Sequence, residues 1–364
     1  MQSGFHGSYV AEDVTFLLKQ LSLKPIADIH EKERLIQSGQ RHYSEMLGAE
    51  RLPSEAYLSL FHAAVDRNAR RMARDLVMLA RRICAVRPHG VTLVSMARAG
   101  TPVGVLLRRL LVDLMGVVAP HYSISVIRDR GLDLNALDHI LVRQAAQTLV
   151  FVDGWTAKGS IHKELVSSLA DFESSRGKRL APELFVLSDL AGVAYASGST
   201  EDYLIPSALL NSTVSGLVSR SVLNEQIGPA DFHGCVYYRE WLGHDASRWF
   251  ITRVMAEVND FREQWLGEPL PEPDVEAIQQ RSAELIRRLS SRYSVQDVNF
   301  IKPGIGESTR ALLRRTSRMI LLRDPTAAEV RHLVQLAQER EVVVEVDPSL
   351  PFHAVAIIRS LADG

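Results

Sequence analysis

Residues 148–165 read TLVFVDGWTAKGSIHKEL, and the interpretation of this stretch decides the fold. Thr148–Val152 is an apolar, β-branched run, the pattern of a strand buried in a parallel sheet. Asp153, Gly154, Thr156, Lys158, Gly159 and Ser160 follow as a small, hydroxyl-rich loop, and helical spacing begins at Ile161. A strand, such a loop and a helix make an anion site. The loop amides and the helix N-terminus point at the ligand, and glycine lets the backbone come close. Asp153, at the carboxyl end of the strand, would accept hydrogen bonds from sugar hydroxyls, an arrangement that suits a ribose 5-phosphate. The competing account is an ordinary strand–loop–helix crossover with no ligand.

A second unit of the same kind lies upstream. Pro53-Ser54-Glu55 opens a helix that runs through Arg82, with an apolar stripe at Leu58, Phe61, Val65, Met72, Leu76 and Leu79. Val91–Val94 then reads as a buried strand, Ser95–Gly104 as a small-residue loop and Val105–Met115 as a helix. Arg98 sits in that loop with Ser95, Ala97, Ala99 and Gly100, a cation with several fixed donors. Two such units, about fifty-five residues apart, predict a diphosphate-bearing ligand. Between them His121–Ile127 alternates as a strand, and Arg128-Asp129-Arg130-Gly131 follows as a charged loop, which could equally be a solvated turn. Pro182–Leu187 is a further strand. Ser212 and Thr213, in a Ser/Thr/Asn-rich stretch, are candidates to line a base or acceptor site, or else to cap a helix.

The block from Asp231 to Trp241 supports a rival chemistry. His233 and Cys235 lie two apart and share a face if the segment is a strand, so a thiolate beside an imidazole is available as a nucleophile pair. The competing account is a buried, inert cysteine. Cys84 and Cys235 are the whole cysteine complement of 364 residues, which argues for a reducing compartment and against a disulfide framework or a cysteine-ligated zinc. A net charge of −1 gives no global pull toward nucleic acid or membrane, so any basic site must be local. With no basic-plus-apolar leader and no apolar run of membrane-spanning length, the expected location is cytoplasmic.

Gly267–Asp274 is a proline-rich, acidic break, followed by an amphipathic helix at Val275–Leu289. Beyond it the pattern alternates. It predicts strands at Val298–Ile301, Met319–Leu322 and Val342–Val346, and helices at Glu307–Arg318, Ala327–Glu339 and His353–Leu361, a compact α/β sandwich. Lys302, Arg310, Arg314, Arg315 and Arg318 face a single nearby acid, Glu307, making a local phosphate-attracting patch.

The stretch around Asp153 resembles the PRPP-binding signature of type I phosphoribosyltransferases, with Gly154 in place of that family's second acid and Ala157-Lys158-Gly159-Ser160 over its phosphate loop. The Arg98-Ala99-Gly100 loop resembles the pyrophosphate loop of the uracil-type members. Residues 304–310, Gly-Ile-Gly-Glu-Ser-Thr-Arg, resemble the Gly-x-Asn-Glu-x-x-Lys motif of Pelota/L7Ae RNA-binding domains, with Gly306 for the asparagine and Arg310 for the lysine. The combination resembles the phosphoribosyltransferase-like proteins of bacterial tellurium-resistance and stress gene clusters, some of whose relatives carry the StiP cysteine protease label.

The resemblance implies a doubly wound, mostly parallel α/β domain over residues 1–266, with residues 1–52 as a cap. It further implies a linker and helix at 267–295 and a smaller α/β RNA-binding domain at 296–364. It implies pentosyl transfer from PRPP in the biosynthesis of a nucleoside-like metabolite. Asp153 would hold the ribose and Ala157–Ser160 the phosphate. Arg98 would hold departing pyrophosphate with Mg²⁺, and Arg128 or Arg130 would close the site. RNA contacts would come from Lys302, Gly304, Gly306, Glu307, Arg310 and Arg314. Two other readings stand beside it: a non-catalytic ribonucleotide sensor coupled to RNA, supported by Gly154, and a thiol hydrolase using Cys235 and His233. Self-association is left open.

Overall fold

Seven strands build the main sheet of this protein, whose computed structural model describes residues 4–26, 34–36 and 38–359. They are β1 (Thr15–Leu17), β3 (Thr92–Ala97), β4 (His121–Ile127), β5 (Gly131–Leu132), β6 (Leu149–Thr156), β7 (Leu184–Asp189) and β8 (Ala196–Ser199). The order is β1-β4-β3-β6-β7-β8, every pairing along that path is parallel, and β5 adds antiparallel to β4. Parallel strands need crossovers. These are supplied by α1 (Glu55–Val86), α2 (Thr101–Arg109), α3 (Leu134–Leu141) and α4 (Ser160–Arg176).

Side-chain alternation explains why the central strands are apolar throughout. Leu93, Val150, Val152, Phe185 and Leu187 point into a core shared with α1, α2 and α5 (Ser247–Gly267). Their neighbours Val94, Met96, Phe151 and Val186 point into the opposite core with α3 and α4. Both faces are therefore covered, as an α/β sheet requires. A two-residue ladder joins β2 (Lys19–Gln20) to β9 (Gly234–Cys235).

The chain beyond α6 (Val275–Tyr293) forms a second sheet of order β10-β13-β11-β12. Its strands are β10 (Ile301–Pro303), β11 (Ser317–Leu322), β12 (Val343–Val346) and β13 (Ala354–Ile358), flanked by α7 (Ile305–Arg314) and α8 (Arg331–Glu339).

Several expected boundaries move. The strand at Thr92 runs to Ala97, so the Arg98 loop is only three residues long before Thr101 starts the helix. That helix becomes a π-helical turn at Leu110–Leu114. The strand of the opening motif continues through Thr156, because Trp155 and Thr156 still pair with Ser188 and Asp189 of β7. Asp153 and Gly154 are thus strand residues, not loop residues. The expected terminal helix at His353–Leu361 is instead the central strand β13. Its Ala-Val-Ala-Ile run is buried between β10 and β11, where β-branched side chains pack well. Leu361 lies outside the described residues.

Candidate functional site

The carboxyl ends of β3, β6 and β7 carry the residues around Asp153, and in an open parallel sheet this is where ligands gather. Here the second unit closes over them. The first turn of α7 lies against the Trp155 indole, so tightly that a Cβ on Gly306 would sit 2.9 Å from Trp155 Cε2. One turn further, the Arg310 guanidinium stands 4.2 Å from the Trp155 ring centroid. Asp202 clasps the unit from below: its Oδ1 accepts from the Ile305 N–H and its Oδ2 from the His353 N–H, each at 2.8 Å. Lys158 reaches across to donate to the carbonyls of Val298 (3.0 Å) and Ile301 (3.1 Å).

Burial dominates the electrostatics of this seam. It pushes the Asp153 carboxyl up to about 6, against the pull of its own Gly154 amide (2.8 Å) and of Arg310. Burial, then Lys302, brings the Lys158 ammonium down to about 7. Burial also lowers Lys302 and Arg310. It works upward on Glu307, but Lys302, Arg310 and Lys158 outweigh it and hold that carboxyl below its ordinary value. Arg128 is near enough to act on Lys158 and Lys302, and Arg98 on Arg310. Cations thus outnumber carboxylates at the seam. Arg310 Nε and Trp155 Nε1 are enclosed without a hydrogen-bond partner among the described residues.

The structure therefore brings Asp153, Lys158, Lys302, Glu307 and Arg310 together, but several expected ligand contacts are spent internally. Ser95 Oγ is fully buried and bonds His121 Nε2 at 2.7 Å, not a ligand. Gly100 packs on β6, where a Cβ would meet the Val152 carbonyl at 2.5 Å, and Gly154 faces the Ala99 carbonyl. Arg98 pairs with Glu50 at 2.6 Å and donates to the Val218 carbonyl at 3.0 Å, so its expected anion role meets an internal carboxylate. Arg128 donates its amide to Tyr43 Oη (2.7 Å), and Arg130 pairs with Glu45. Both contacts tie the charged loop to the 3₁₀ turn at Tyr43–Glu45.

Thr156 Oγ1 accepts from the Gly159 amide at 3.1 Å, and Ser160 begins α4. Ala157 is buried among Leu190, Leu285 and Leu289. Ser212 and Thr213 are buried in a 3₁₀ turn, with the Ser212 amide 3.4 Å from Glu50.

The expected RNA face also changes place. Gly304 and Gly306 are buried against Leu190, Asp202 and Trp155, and Lys302, Glu307 and Arg310 turn toward the first unit rather than to open solvent. The side chain of Arg314 lies outside the described residues. Trp155, Asp202 and Glu50 are site residues that sequence reasoning missed. The density of short-range motifs around Asp153 drew attention to the loop, whereas these three act through partners far away in the chain.

The second candidate lies at β9. Cys235 is completely buried, and burial pushes its thiol up to about 12. His233 donates its backbone N–H to Asp133 Oδ2 at 2.6 Å, and its ring Nδ1 lies 2.8 Å from Ser125 Oγ. No hydrogen bond joins His233 to Cys235 among the described residues. Burial lowers the imidazole while Asp133 works upward on it. Cys84, half-buried at the end of α1, lies 3.4 Å from Met115 Sδ and has no imidazole partner among the described residues. Among those residues there is no group of three or more His, Cys, Asp or Glu placed to hold a metal ion, and no helix long and apolar enough to cross a membrane. The Mg²⁺ expected with a diphosphate would be held by the ligand and water rather than by these side chains.

The fold and these two clusters define an α/β protein with a second, smaller α/β unit. The chain belongs to the family described as "Tellurite-like stress resistance cysteine protease StiP", which matches residues 7–255. Residues 280–360 match the PELOTA RNA binding domain. A relative from Acinetobacter baylyi (strain ATCC 33305 / BD413 / ADP1), named "Cysteine protease StiP", is 40% identical over 375 residues, covering 100% of this chain and 97% of that protein.

Two solved phosphoribosyltransferase structures are also similar, but weakly. An alanine mutant from an analysis of an invariant aspartic acid in HPRTs has a TM-score of 0.27 at 15% identity, covering 36% of this chain and 77% of that one. The hypoxanthine phosphoribosyltransferase of Trypanosoma cruzi has 0.26 at 16%, with the same coverage. Similarity at that level carries no argument about function. The expectation of pentosyl transfer from PRPP is corrected by the family match: the family and the full-length relative are both named for cysteine proteases.

Proposed function

We propose that this chain is a thiol hydrolase of the kind its family is named for, with Cys235 as nucleophile and His233 as base. The conformation described above is its closed form. The observation that carries the reading is local: of the two described cysteines, Cys235 alone has a histidine two residues away, whose ring meets the Ser125 hydroxyl and whose backbone N–H is held by the Asp133 carboxylate. Because Ser125 engages Nδ1, the base role falls to Nε2. In the open form Nε2 takes the thiol proton and the sulfur forms a bond to the peptide carbonyl carbon. The imidazolium then gives its proton to the departing amine as the C–N bond breaks. Water cleaves the thioester and returns the free thiol.

A thiol held near 12 is almost wholly protonated at neutral pH, so opening must precede chemistry. The element to open is the short β2/β9 ladder, only two residue pairs long. The test compares wild type, Cys235→Ala and Cys84→Ala for hydrolysis of fluorescent casein, with native alkylation followed by mass spectrometry. Activity should fall to background in Cys235→Ala and persist in Cys84→Ala. Full activity in Cys235→Ala overturns the reading.

A second reading, RNA binding at the seam, is favoured by the match of residues 280–360 and by the enclosed, unpartnered Nε of Arg310. It needs no turnover. Arg310→Gln should weaken binding of a labelled RNA and lower the salt slope by about 0.7, the contribution of one phosphate on a single strand. An unchanged slope rejects it.

A further inference from the structure

We propose that the groove between α1 and α5 binds the phosphates of a single-stranded RNA. Arg67, Arg70, Arg71 and Arg74 recur at helical spacing and so occupy one face of α1. With Gln264 and Trp265 of α5 and Glu268 just past its end they line a cavity of about 440 Å³, in which four guanidinium groups meet one carboxylate. Two of the four are neutralised. Arg74 sets Nε (2.8 Å) and Nη2 (2.7 Å) on Glu268, and Arg71 pairs with Glu201 while standing 4.6 Å from the Tyr203 ring centroid.

The other two have no acidic partner among the described residues. Arg70 places its guanidinium carbon 3.6 Å from the Phe261 ring centroid, and Arg67 donates to the Ala328 carbonyl. Both are exposed. A guanidinium held by an aromatic face keeps its N–H edge free and pre-set, which is the geometry that recognises phosphate with paired hydrogen bonds.

The chemistry of the walls chooses the partner. Trp265 and Tyr203 are buried, and Phe261 lies under Arg70, so no aromatic face is offered for stacking a base. The contact is to phosphate and carries no sequence code. Arg67 ties the groove to Ala328 of the second unit, within the residues that match an RNA-binding domain, so a strand lying along the groove meets that unit. The groove shares no lining residue with the Asp153–Arg310 seam, and it does not depend on the thiol chemistry.

The test is fluorescence anisotropy of a labelled twelve-nucleotide oligouridylate with the full-length protein between about 50 and 200 mM KCl. Replacing Arg67 and Arg70 together by Gln should weaken binding about tenfold at 100 mM salt. It should also reduce the log–log salt slope by about 1.4, two phosphates at about 0.7 each. Arg70→Lys, which keeps the charge and loses the fork, should keep the slope and lose part of the affinity; it also serves if the double variant folds poorly. Unchanged affinity and slope in the double variant overturn the proposal. So does a double variant that loses binding of free inorganic triphosphate while RNA binding is retained. If Arg310→Gln alone abolishes RNA binding, the seam carries it and the groove does not. If only the groove variants act, the seam reading fails and the groove stands.

Discussion

Asp75 lies in the middle of α1 with its carboxyl 2% exposed and one oxygen without a partner. Burial is the largest cause that pushes it up to about 7, with the Tyr203 hydroxyl first and then Arg71 and Arg74 pulling the other way. A carboxyl raised in the folded state contributes stability that is complete below its unfolded value near 4 and is lost as pH rises through 7. Asp75→Asn, which keeps the shape without the charge, should therefore lie closest to wild type in thermal unfolding at pH 4 and exceed it by a widening margin up to pH 8. The gap should be on the order of a few kcal/mol. Equal stability at both values would contradict the assignment.

The same scale shows what sequence can hold. Cys235 and His233 were legible as a pair because they are two residues apart. Their burial was not, since Cys235 is covered by packing from segments more than two hundred residues away in the chain. Arg98 likewise looked like a free loop cation. Its partner Glu50 comes from the N-terminal segment, 48 residues earlier.

At the scale of elements, the strands of the main sheet were legible because both faces are apolar, and a two-sided buried strand leaves a continuous hydrophobic run. β13 was misread as a helix because a five-residue apolar run does not distinguish a central strand from a buried helix by periodicity alone. Gly304 and Gly306 are RNA contacts on the sequence reading, whereas in the structure Gly306 is the point where the second unit touches Trp155. Its substitution tests that contact. Gly306→Ala places a methyl carbon 2.9 Å from a rigid indole, so the helix or the ring must move. The melting temperature should fall by several degrees, and the tryptophan emission should shift. A variant with wild-type emission and stability would mean that the α7–Trp155 contact is not made.

Taken whole, the molecule couples two sheets through a charged seam and carries a thiol buried in its main core. The alternation of strands and helices was sufficient to anticipate a parallel α/β architecture followed by a smaller α/β unit. It was not sufficient to say which cluster works, because phosphate-type loops recur on many proteins and function resides in the site. The family and the full-length relative are both named for cysteine proteases, which corrects the expectation of phosphoribosyl transfer.

The most direct test is the time course of Cys235 alkylation by iodoacetamide in the native protein, read by peptide mass spectrometry beside casein hydrolysis. If Cys235 is the nucleophile behind an opening step, its modification will be slow and will rise with pH. Activity will be lost in proportion, one label per molecule, while Cys84 labelling leaves activity intact. Hydrolysis that continues after Cys235 is fully modified would contradict the account.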